Sequence, residues 1–197
     1  MRRIPALAVT AVTAVLATAA VAGAAPARGV TFTDPAGDAN GLDGRAAGGS
    51  QAAYDITRVH LSPHARTARA AGLTIRLDLA AAPATTPGSS YVFTAKQDGC
   101  DLTVSRTMTA DGVTGSTLVN CAPGIGYVQS YTVATGVAAR GKSLTFTVPA
   151  DALPNPAVGA TLTGIEVGTT AGDQSSGVAA PARIDRATYA HPYRVGS

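Results

Sequence analysis

Along most of this chain apolar and polar residues alternate with a period of two, the pattern of strands that bury one face. Leu73 to Ala80 carries it most clearly: Leu73, Ile75, Leu77 and Leu79 point one way and Thr74, Arg76 and Asp78 the other. Asp55 to Ser62 predicts a second strand, with Ile56 on one face and Thr57, Val59 and Leu61 on the opposite, core-facing side. Pro63 to Gly72 reads as a loop, and the segment up to Thr33 as short and extended. Further strands are predicted at Tyr91 to Lys96, Asp101 to Met108, Val113 to Asn120, Ser143 to Pro149, Ala160 to Thr169 and Arg183 to Tyr189. Ile125 to Val137 fits one long strand or two short ones. Pro154 and Pro156 limit the Asp151–Pro156 segment to at most one helical turn. The expected fold is all-β: a two-sheet antiparallel, jelly-roll-like sandwich of about eight or nine strands.

One hairpin can be set in register. Thr109-Ala110-Asp111-Gly112 makes a four-residue loop with Gly in the left-handed position. Placing Met108 opposite Val113 then sets Leu102 opposite Val119 and Cys100 opposite Cys121. Leu102, Val104, Met108, Val113 and Val119 fall on one side; Arg106 breaks the set and is expected near a rim. These are the only two cysteines, and with neither a CxxC spacing nor an electropositive helix start they read as a structural disulfide.

The alternation is absent from the first residues. Arg2 and Arg3, an apolar run from Ile4 to Val21 and the small residues Ala22-Gly23-Ala24 form a signal peptide over residues 1–24. An exported, released product follows, with residues 25–197 as a single domain and no membrane span in the mature form. Removing the two leader arginines lowers the formal charge of +3 to about +1, too small to argue for nucleic acid or an anionic membrane as partner. Tryptophan is absent and there are only six Tyr and three Phe, which weakens a sugar-binding face built on aromatic platforms.

Residues 34–51 form a long loop rich in Gly, Asp and Ala. Its first part, Asp34-Pro35-Ala36-Gly37-Asp38-Ala39-Asn40-Gly41-Leu42-Asp43-Gly44, brings the carboxylates of Asp34, Asp38 and Asp43 and the amide of Asn40 onto a pliable backbone. Calcium uses six to eight hard oxygens on such a loop. The EF-hand spacing is not met, since Leu42 stands where a ligand is required and Gly49 where Glu is. Exposed turns use the same residue types, so spacing alone leaves a metal loop and an ordinary turn both open.

The string TFTDPAGDANG, followed after a Gly/Ala-rich gap by Tyr54-Asp55-Ile56, resembles exported bacterial β-sandwich modules related to the glucodextranase C-terminal domain, within the family-nine carbohydrate-binding and DOMON-like group. Phe146-Thr147-Val148-Pro149 and Asp185-Arg186-Ala187 are further echoes. The resemblance implies a β-sandwich in which Asp34, Asp38 and Asp55, with Asp185 as a fourth, gather around calcium. Asn40 and Asp43 are added from local chemistry. The chain lacks the Tyr-Pro element before the Gly-rich gap and an attached catalytic domain, which bears on sugar binding more than on fold.

Catalytic patterns are sparse. His60, His64 and His191 read as surface residues, and no HExxH pair occurs. Gly172-Asp173-Gln174-Ser175-Ser176-Gly177 places Gln174 where a serine nucleophile would stand. The expectation is a secreted, non-catalytic, calcium-stabilised module that binds an extracellular glycan or envelope component; a carbohydrate-binding module and a small secreted hydrolase are the alternatives.

Overall fold

The Leu73–Leu79 run sits at the centre of one sheet, where its four apolar side chains are almost fully buried. The computed structural model describes residues 29–39, 51–121, 131–171 and 182–196. The leader, Asn40, Asp43, most of the 34–51 loop and the Gly172–Gly177 segment lie outside the described residues. Among the described residues the chain forms twelve strands, β1 (Val30–Thr33), β2 (Ile56–His64), β3 (Gly72–Leu79), β4 (Ser90–Gln97), β5 (Cys100–Thr109), β6 (Gly112–Cys121), β7 (Tyr131–Ala134), β8 (Gly136–Arg140), β9 (Ser143–Val148), β10 (Thr161–Ala171), β11 (Ala182–Tyr189) and β12 (Tyr193–Arg194). A 3₁₀ turn, Ala150–Ala152, follows β9.

The strands form two antiparallel sheets, a five-stranded one in the order β1-β2-β3-β9-β8 and a seven-stranded one in the order β11-β10-β4-β5-β6-β7, with β12 pairing β10. Ile75, Leu77, Leu144 and Phe146 from the small sheet and Phe93, Leu102, Val104 and Val167 from the large one belong to one apolar core. At about 25 cal/mol per Å² of apolar area, that burial is what holds the layers face to face.

The β5–β6 register is the expected one, with Met108 opposite Val113, Leu102 opposite Val119 and Cys100 opposite Cys121. The cysteines form a disulfide between facing strands. The strands extend further than the four-residue loop allows, pairing Thr109 with Gly112 and leaving Ala110 and Asp111 to turn. Asp98 and Gly99 join β4 to β5, both at positive φ (49° and 79°), as a two-residue type I′ hairpin requires.

Four expectations change. Ile56 faces the core together with Val59 and Leu61, because the β2–β3 register shifts between Ile56 and Arg58 and the bulge turns the earlier residue inward. Pro63 lies in β2 opposite Leu73, so the loop begins only after His64. Val113 is half exposed, while Arg106 is buried with its guanidinium over the Tyr91 ring, 5.5 Å from the centroid. Between β7 and β8 the chain crosses from the large sheet to the small one at Thr135. This crossing, together with the short β1 and β12, takes the strand count above eight or nine.

Candidate metal centre

Asp34 directly follows β1 and its backbone N–H donates to the Thr57 carbonyl at 3.2 Å, so the end of the β1–β2 ladder fixes where the carboxylate starts. Asp38 lies four residues on, after a turn at Ala36-Gly37. Gly37 has φ +88°, a conformation that costs other residues roughly 1–2 kcal/mol. Its backbone N–H donates to Asp55 Oδ2 at 2.7 Å, folding the loop back over the first residue before β2.

Asp55 is held from several sides. Its carbonyl accepts from Ala80 N–H at 2.9 Å. The preceding carbonyls are bonded by side chains of the other sheet: Tyr91 OH donates to the Ala53 carbonyl at 2.7 Å and Thr169 Oγ1 to the Tyr54 carbonyl at 2.8 Å. The Tyr54 ring stacks on Tyr91 with centroids 6.2 Å apart, and its OH pairs with Ser89 Oγ at 2.7 Å. Asp185 comes from β11, where it faces Thr169 across the ladder. Its Oδ2 accepts from Ile56 N–H at 2.6 Å and its Oδ1 from Arg186 N–H at 2.7 Å. The first of these bonds ties the two sheets together at the site.

Carboxylate oxygens of Asp34, Asp38 and Asp185 lie within 4.8 Å of one another, with Asp38 exposed, Asp34 half-buried and Asp185 buried. Asp55 adjoins them, only 4 % exposed. Its Oδ1 and Asp34 Oδ2 are buried without a hydrogen-bond partner. Burial, together with the facing charges of Asp185, Asp38 and Asp55, pushes Asp34 up to about 7. Asp185 is also raised, first by burial and then by Asp38 and Asp55, against the opposing effect of its two backbone donors. Crowded carboxylates of this kind are relieved by taking up a proton or a cation.

Of the residues singled out from sequence, Asp34, Asp38 and Asp185 meet and Asp55 adjoins them, so Asp185 belongs to the group itself rather than to its margin. Asn40 and Asp43 fall outside the described residues. His60, His64 and His191 do not join the group. Sequence reasoning missed Thr169 and Tyr91, whose hydroxyls anchor the backbone under Asp55. A signal for Thr169 was present: it continues the inward phase of Ile165 and Val167, and a hydroxyl in that position needs an acceptor.

No family model, no curated protein and no solved structure matches this chain. Among the described residues no helix is long and apolar enough to cross a membrane.

Proposed function

We propose that this protein is an exported, non-catalytic β-sandwich that binds one calcium ion through Asp34, Asp38 and Asp185, with Asp55 alongside, and serves as an extracellular or envelope-associated binding module. The observation that carries the cation is the buried, unpartnered Asp55 Oδ1 beside three converging carboxylates. An all-oxygen donor set suits a hard cation such as calcium; zinc sites normally include His or Cys. The ion would order the start of the 34–51 loop and offset the entropy lost in fixing it. A leader-like amino terminus and a structural disulfide support export. A glycan or another envelope component remains the proposed partner class, with the aromatic-poor composition favouring polar over stacking contacts.

Calorimetry of the protein stripped with chelator tests the cation. Calcium at one hundred times its dissociation constant should stabilise the fold by about 2.7 kcal/mol, and Asp38→Ala, at an exposed position, should abolish the gain without unfolding the protein. An unchanged melting temperature with calcium and with chelator would overturn the site.

A further inference from the structure

The small sheet carries an unevenly charged outer face. Its five strands contain Arg58, Arg76 and Arg140 against the single carboxylate Asp78, together with His60 and His64. The modest formal charge of the whole chain, +3, gives no sign of this grouping. Register places His60 between Thr31 and Arg76, and Arg58 between Thr33 and Asp78, so these side chains form two neighbouring rows across three strands. Thr31, Arg58, His60, Arg76 and Asp78 line a surface depression of about 330 Å³.

The depression is internally braced. Arg76 Nε donates to Asp78 Oδ1 at 3.0 Å and Nη2 to Ser143 Oγ at 3.2 Å, while Ser143 Oγ donates to the same Asp78 oxygen at 2.6 Å. Thr31 Oγ1 and His60 Nδ1 are 2.7 Å apart. Burial works against the Asp78 charge, but hydrogen bonds from Ser143 and Arg76 and the charges of Arg76 and Arg58 hold its carboxyl below the ordinary value. Asp78 therefore stays anionic and offsets one guanidinium of the two beside it. Ordering one arginine in advance removes part of the entropy cost that weakens exposed ion pairs.

We infer that this depression is an oxyanion-binding subsite, in which Arg58 and Arg76, with Thr31 and His60 at its wall, take a carboxylate or phosphate group of an extracellular ligand. Guanidinium groups match both anions with paired N–H donors. The two anions point to different sources, a uronate-bearing polysaccharide or a phosphate-bearing polymer. The subsite lies on the sheet face away from the core and does not depend on calcium, so its failure would leave the metal centre untouched, and the reverse holds.

The test is an NMR titration of the full chain without calcium, using sodium phosphate, sodium glucuronate, glucose and sodium chloride, with ionic strength held constant. Saturable shifts centred on Thr31, Arg58, His60 and Arg76 are expected with phosphate or glucuronate and not with glucose or chloride, and the tighter of the two identifies the source. Arg58→Ala should weaken binding about tenfold, the effect of one charge-assisted contact. Arg76→Ala should do at least as much. Arg58 stands outside the Asp78–Ser143 brace, so its variant keeps the test valid if Arg76→Ala disturbs the sheet. Non-saturating shifts, equal shifts with chloride, or wild-type affinity in Arg58→Ala would overturn the inference.

Discussion

Asp34 gathers the local electrostatics of the molecule into one side chain. Its folded value of about 7 against an ordinary 3.8 means that the native state holds a proton the unfolded chain has released over that interval. Stability therefore falls as pH rises from about 4 to about 7, the reverse of what a salt-bridged carboxylate gives. Thermal melts in chelator across that range should show the decline, and saturating calcium should flatten it. Asp34→Asn should remove the decline, raise the metal-free melting temperature at pH 8 and abolish the calcium response; a destabilised, still responsive variant would contradict the assignment. Arg106 shows a different balance. Buried, it lies over the Tyr91 ring and donates to the Ala84 carbonyl at 3.3 Å, and burial lowers its pKa.

Among the elements, the β5–β6 hairpin is the one whose pairing could be written down from residue spacing, because a short turn links its strands and few registers are open to it. Closing the 21-residue separation between Cys100 and Cys121 should stabilise the fold by roughly 3 kcal/mol. Urea titrations with and without reductant should show the unfolding free energy falling by that order, while Cys100→Ser/Cys121→Ala retains the hairpin in hydrogen exchange because its ladder is independent of sulfur. Local alternation likewise made β3, β4 and β9 legible. What alternation could not show were departures from a period of two. The bulge after Ile56 is one, and the register shift between Thr163 and Glu166, where Gly164 sits at φ +57°, is another. Each is set by the partner strand rather than by the residues themselves. Thr135 is a third case, since nothing in Tyr131 to Val137 marks a change of sheet. The candidate site divides the same way: Asp34 and Asp38 stand out as near neighbours in an acidic loop, whereas the place of Asp185 depends on topology.

Over the whole molecule, the Ile56–Asp185 bond joins residues 129 positions apart, so the acidic group exists only when the strand after the loop and the penultimate strand have both docked. Contacts of such sequence separation form late, since loop closure opposes them until the rest of the sandwich is in place. A cation held there would meet no assembled cradle on the way in. Stopped-flow kinetics should then show calcium slowing unfolding with little effect on refolding, as expected of contacts missing from the transition state; faster refolding with calcium would place the group early instead. By this logic a bound ion would set how long a finished molecule lasts, not how quickly one is made. For the exported protein proposed above, working away from the chaperones of the cytoplasm, lifetime would be the property that matters.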